Sequence, residues 1–150
     1  MNAEGPIIII EDDIDDHDIL KDIFKKLDYP NEILFFHDGE GALNFLNEGD
    51  VVPFLILSDI NLPKLDGFEL REKIRTDAQL DIKCIPYLFF TTSSNEKHVI
   101  DAYSKSAQGF FIKPNNIIEL ENTMTVIMEY WRRCLAPKNV QSLKNSSSNN

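Results

Sequence analysis

Several things are scarce in this chain, and each scarcity excludes something. Its 150 residues include two cysteines, Cys84 and Cys134. They form neither a CxxC motif nor a disulfide framework. Both are expected as small packed or half-exposed apolar residues in a reducing cytoplasm. No apolar run approaches the ~20 residues needed to span a bilayer. Met1–Pro6 lacks a basic segment followed by an apolar stretch, so no secretory leader is expected. Positive charge is scarce too, with 15 Lys and Arg against 25 Asp and Glu and a net charge of −10. That balance argues against a nucleic-acid backbone or an anionic membrane as main partner. It suits a divalent cation or a basic protein surface. The three histidines, His17, His37 and His98, are scattered and suggest no ligand set. No Gly-rich phosphate loop follows the first apolar run, and no GxSxG or DxDxT occurs, which removes the nucleotide-fold, α/β-hydrolase and haloacid-dehalogenase readings.

What remains is a chain that is 43% hydrophobic and long enough to bury a core. Ile7–Ile10 is a run of β-branched residues, which reads as a strand buried on both faces. It stops at Glu11-Asp12-Asp13. Ile19, Leu20, Ile23, Phe24 and Leu27 then keep helical spacing, with Asp15 and Asp16 suited to the helix start. Further strands are predicted at Glu32–His37, Pro53–Leu57, Ile85–Phe90 and Gly109–Ile112. Helices are predicted around Ala42–Leu46, Phe68–Ile74 and Val99–Tyr103, and a long one over Ile117–Trp131. Strand and helix thus alternate five times, which calls for a doubly wound α/β fold with a five-stranded parallel sheet and five helices. Residues 1–137 are expected as one domain. Residues 138–150 are Ser/Asn-rich and are expected as a flexible tail.

In open α/β sheets, sites form at the carboxyl ends of the strands. Here those ends carry Glu11 and Asp12, Asp59, Thr91 and Lys113. Three carboxylates crowded together are unfavourable unless a cation intervenes. All-oxygen ligands suit a hard ion such as Mg²⁺.

Four segments in this order are similar to the receiver domain of response regulators, the flavodoxin-like CheY fold. They are IIIIED at Ile7–Asp12, SDINLPKLDG at Ser58–Gly67, FFTTS at Phe89–Ser93 and FFIKP at Phe110–Pro114. The resemblance implies the strand order 2-1-3-4-5. It implies that Asp59 accepts a phosphoryl group from a phosphohistidine. Asp12 would ligate Mg²⁺ directly, Glu11 through water, with Asp59 and the main-chain carbonyl of Asn61 completing the site. Thr91 would bond a phosphoryl oxygen, and Lys113 would pair with Asp59 and then with the phosphoryl group. Phe110 would be an aromatic switch, and the Lys113–Pro114 bond would be cis. Asp13 remains an alternative to one of the acidic pair, and Thr92 to Thr91.

The implied protein is a single-domain regulator of a two-component or phosphorelay system. It would catalyse only its own phosphorylation and slow dephosphorylation. A histidine kinase or phosphotransfer protein would act upstream and a protein target downstream. Homodimerisation through the fourth predicted helix, fifth strand and fifth helix is a further expectation. The end Tyr130–Pro137 loosely resembles small regulators that partner bacterial phytochromes. The rival readings are a phosphate-independent binding module of the same shape and a Mg²⁺-dependent phosphatase.

Overall fold

The structure, a computed structural model, describes residues 1–93 and 95–137. The expected tail at 138–150 lies outside the described residues. The chain runs β1 (Ile7–Ile10), α1 (Ile14–Leu27), β2 (Ile33–Phe36), α2 (Gly39–Glu48) and β3 (Leu55–Ser58). It continues through α3 (Gly67–Thr76), α4 (Ala78–Asp81), β4 (Tyr87–Thr91), α5 (Glu96–Ser104), β5 (Gly109–Ile112) and α6 (Ile117–Arg133). The five strands form one sheet in the order β2-β1-β3-β4-β5, and every pairing is parallel. No helix among the described residues is long and apolar enough to cross a membrane.

The helix count differs from the sequence expectation. The described residues form six, because the single turn Ala78–Asp81 forms α4. Four residues are too few to show a period. This turn is instead held by Asp77, whose side chain accepts from the Gln79 and Leu80 amides, and by burial of Leu80. The fourth and fifth helices expected from sequence are therefore α5 and α6.

The strands separate two cores by side-chain alternation. Ile8, Ile10, Ile56, Tyr87 and Phe89 face one side, where Leu46 of α2, Leu70 and Ile74 of α3, Leu80 of α4 and Ala102 of α5 cover them. Ile7, Ile9, Leu55, Leu57, Leu88 and Phe90 face the other, under Leu20, Ile23 and Phe24 of α1 and Met124, Ile127 and Met128 of α6. A strand covered on both faces must be apolar at every position, which is why β1 reads as four isoleucines.

Register then aligns the strand ends. Ile10 pairs with Ser58, so the next residues, Glu11 and Asp59, emerge side by side. Thr91 pairs with Ile112, so Lys113 follows at the same edge. Asp13 caps α1 by accepting from the Asp15 amide, and Asp66 caps α3 by accepting from the Glu69 amide.

Gly67, the first residue of α3, lies against the loop that leaves β3. A Cβ there would sit 2.2 Å from the Asp59 carbonyl oxygen. Its amide donates to Ile60 at 2.9 Å and its carbonyl accepts from the Tyr87 hydroxyl at 2.9 Å. The glycine is thus clamped between backbone groups that cannot rotate away. Gly67→Ala is expected to lower unfolding free energy by about 1–3 kcal/mol, the range for overpacking. Urea denaturation measures this, and an unchanged midpoint would mean the loop yields freely.

Candidate functional site

At the carboxyl edge, side chains from β1, β3, α1 and the end of β5 meet around one ammonium group. Lys113 Nζ donates to Glu11 Oε2, to Asp59 Oδ2 at 3.1 Å and to Asp16 Oδ2 at 3.2 Å. The Lys113 side chain is 12% exposed, as is that of Asp59, and that of Glu11 only 5%. Burial alone would lower the Lys113 pKa, but hydrogen bonding and attraction from Glu11 and Asp59 outweigh it and raise it above the usual lysine value.

Backbone amides hold the other carboxylate oxygens. The Ile60 amide donates to Asp59 Oδ1 at 2.7 Å, so one Asp59 oxygen faces backbone and the other faces Lys113. The Asp13 amide donates to Glu11 Oε1 at 3.1 Å. Carboxylate oxygens of Glu11, Asp12 and Asp59 lie within 4.8 Å of one another, with Asp12 exposed to solvent. This close, all-oxygen donor set fits a hard divalent cation. Lys113 supplies one positive charge against these acids, so a cation would relieve the remaining repulsion.

Burial pushes the Glu11 carboxyl up from 4.5 to about 7, against the pull of Lys113 and with a smaller push from Asp59. The sign of its effect on stability follows. Between these values the folded chain holds a proton that the unfolded chain has released. Stability therefore falls as pH rises through this window. The Lys113 ammonium stays protonated in both states there, so it does not mask the effect. In chelator, the melting temperature is expected to drop between about pH 5 and pH 8, and Glu11→Gln to flatten the drop. A wild-type profile that rises over this range would contradict the assignment.

The remaining sequence candidates spread around this centre. Thr91 ends β4, fully buried, and its Oγ1 accepts from the Ser93 amide at 3.3 Å. Asn61 lies exposed on the β3–α3 loop, two residues past Asp59. Phe110 on β5 is half-buried and packs 6.1 Å, centroid to centroid, from Phe89. No described peptide bond is cis, so Lys113–Pro114 is trans, contrary to the bond the resemblance implies. The isomers before proline differ by only about 0.5–1 kcal/mol, too little for sequence to decide.

The contacts of three residues, Asp16, His17 and His98, were not legible in the sequence. Asp16 reaches Lys113 from the first turn of α1, where an acid is already favourable at a helix start. His17 is buried and donates from Nε2 to the Glu11 carbonyl, while its ring lies 4.9 Å, centroid to centroid, from that of His37 and tilted 34° to it. Ser93 Oγ lies 2.7 Å from His98 Nδ1, and the His98 ring is 5.7 Å from Phe68. A histidine's isolated place in a sequence carries no hint of such partners.

A parallel 2-1-3-4-5 sheet with acids, a buried threonine and a lysine at its carboxyl edge defines a signalling receiver rather than a nucleotide-binding fold. A family model described as response regulator receiver domain matches residues 7–125, and the chain belongs to that family as a two-component response regulator. It is 32% identical to the response regulator Rcp1 of Synechocystis, over 87% of this chain and 90% of that protein. It is also 32% identical to a probable methanogenesis regulatory protein, FilR2, of Methanothrix harundinacea, over 87% of each chain. The crystal structure of Mn²⁺-bound Rcp1 aligns with a TM-score of 0.76 at 30% identity, covering 89% of this chain and 99% of that one. The phosphorylated cyanobacterial phytochrome response regulator RcpA aligns with a TM-score of 0.79 at 29% identity, covering 90% and 99%.

Proposed function

We propose that Asp59 is the phosphoacceptor, that Mg²⁺ is held by Glu11, Asp12, Asp59 and the Asn61 carbonyl, and that phosphorylation switches a protein-binding surface. The observation that carries this reading is the bridging of Asp59 Oδ2 by Lys113 beside the Glu11–Asp12 pair. One carboxylate is thereby placed among the charges that phosphoryl transfer requires.

In the reaction, an Asp59 carboxylate oxygen attacks the phosphorus of a phosphohistidine. A P–O bond forms, the P–N bond breaks, and the imidazole leaves with its electron pair and takes a proton from solvent. Mg²⁺, when bound, supplies positive charge to the phosphoryl oxygens. The Ile60 amide orients Asp59 by holding Oδ1. Lys113 neutralises Asp59 at rest and then pairs with a phosphoryl oxygen, and the Thr91 hydroxyl leaves Ser93 to bond another.

The added charge is roughly −1.5 to −2, by analogy with other protein phosphates. Inward movement of Thr91 vacates space into which Phe110 turns, and the α5–β5–α6 face changes with it. Exposed Ile100 and Tyr103 on α5, Ile112 on β5 and Tyr130 on α6 support this face as a binding surface. Its occupants would be a downstream protein or a second copy of the chain. A sensor histidine kinase or phosphotransfer protein supplies the phosphoryl group, and neither nucleic acid nor membrane is required. The free cysteines fit a cytoplasmic site.

The test is incubation with Mg²⁺ and a small acyl-phosphate donor. The expected product is one hydroxylamine-labile phosphoryl group per chain. Repeated turnover of outside phosphoesters without a stable adduct would favour a phosphatase instead. The full set of Glu11, Asp12, Asp59, Thr91 and Lys113 favours phosphoryl acceptance over a phosphate-independent module of the same shape.

A further inference from the structure

The loop that leaves β3 carries Asp59 at one end and Gly67 at the other, with Asn61 between them. Its two ends are closed on each other. The Gly67 amide donates to the Ile60 carbonyl at 2.9 Å, and the Gly67 backbone lies against the Asp59 carbonyl. A side chain from the sheet reaches this closure. The hydroxyl of Tyr87, the first residue of β4, donates to the Gly67 carbonyl at 2.9 Å. Tyr87 is fully buried, and burial pushes its pKa up, so the hydroxyl stays protonated and remains a donor.

The ring that carries the hydroxyl is itself fixed. Phe89 packs edge-on to it, with centroids 5.2 Å apart. The Arg71 guanidinium lies over it at 5.6 Å and is held there by the carbonyls of Lys105, at 3.0 Å, and Ser106, at 2.9 Å. Packing alone would be served by phenylalanine, because an interior hydroxyl costs free energy unless it finds a partner. Tyr87 finds its partner in the backbone of the loop that bears Asn61.

We infer that Tyr87 is a positioning residue whose hydroxyl holds the β3–α3 loop in the shape that offers the Asn61 carbonyl to a divalent cation. This rests on the reading of Glu11, Asp12, Asp59 and Asn61 as the Mg²⁺ site. A carboxylate ligand can turn about its side-chain bonds to meet an ion. A main-chain carbonyl is placed only by placing the backbone, so its support must come from outside the ligand itself. The Asp59 side chain is held separately, by the Ile60 amide at 2.7 Å and by Lys113 at 3.1 Å, so the nucleophile keeps its orientation without the Tyr87 hydroxyl.

The experiment compares the full chain with Tyr87→Phe, which keeps the ring and removes only the hydroxyl. The Mg²⁺ dissociation constant, read by calorimetry, is expected to rise about two- to five-fold, within the scale of one hydrogen bond. In chelator, hydrogen exchange of the Gly67 amide is expected to quicken by a similar factor, which reads the loosened loop without the ion. Phosphorylation by a small acyl-phosphate donor should be slower than wild type at limiting Mg²⁺ and return to within about two-fold of it at saturating Mg²⁺. Ile127→Val removes one methyl group from the core on the opposite face of the sheet and controls for general loss of stability. It should leave Mg²⁺ affinity unchanged. Unchanged Mg²⁺ affinity or unchanged Gly67 exchange in Tyr87→Phe overturns the inference, as does an equal loss of affinity in Ile127→Val. A phosphorylation defect that persists at saturating Mg²⁺ also overturns it, because the hydroxyl would then act on Asp59. A wild type that binds no Mg²⁺, or an Asp59→Asn chain that binds it as tightly, defeats the cation-site reading instead.

Discussion

Asp59→Asn is expected to reduce phosphoryl incorporation below about 1% of wild type, because it removes the nucleophile itself. The fold should tolerate the change. Asn keeps a carbonyl oxygen that can accept from the Ile60 amide, which now donates to Oδ1 at 2.7 Å. It also removes one of the three acids in the 4.8 Å cluster, so repulsion within the site falls. The chain is therefore expected to be at least as stable as wild type in chelator and to gain less stability from Mg²⁺. Mass spectrometry of the intact chain after donor treatment reads the first effect, and thermal melting with and without Mg²⁺ reads the second. A phosphorylated Asp59→Asn chain would place the acceptor elsewhere. Equal Mg²⁺ stabilisation of both chains would remove Asp59 from the cation site.

Removing Lys113 should have the largest effect on stability at this site. In Lys113→Ala, the carboxylates of Glu11, Asp16 and Asp59 lose their shared ammonium. Breaking a buried ion pair costs about 3–5 kcal/mol when the remaining charge has no compensation. Here compensation exists in part, because Asp16 can turn to water and Glu11 can take up a proton. The expected loss near pH 8 in chelator is about 2–3 kcal/mol, below that range. It should diminish toward pH 5, where Glu11 is protonated. It should diminish also on adding Mg²⁺, so the variant's stability becomes more dependent on the ion than the wild type's. Urea unfolding at both pH values, with and without Mg²⁺, measures all three comparisons. A loss equal under every condition would mean that Lys113 contributes packing rather than charge balance.

The acids after Ile10, the Ser58-Asp59 pair and the Thr91 and Lys113 ends were legible because each follows an apolar run. A strand buried on both faces must end where polarity begins. That boundary is local, so it is written in consecutive residues. α4 was not legible, since a single turn built on the Asp77 cap and Leu80 has no period to detect. Asp16, His17 and His98 were not legible for a different reason. Their partners are carried by other elements or displaced turns, and nothing in the neighbouring sequence names them.

By itself the sequence determined the alternation of strands and helices, the apolar runs that make a parallel sheet, and the residue types available at its carboxyl edge. Hydrophobic periodicity and strand boundaries are short-range properties of the chain. Only the tertiary structure decided which acids share Lys113. Glu11 and Asp59 are adjacent because Ile10 pairs with Ser58 across the sheet. Asp16 joins them because the Asp13 amide is already bonded to Glu11. The scarcity of positive charge thus takes a specific form at this edge: one partly buried ammonium divided among three carboxylates. That division depends on distances between separate elements, which no run of residues encodes.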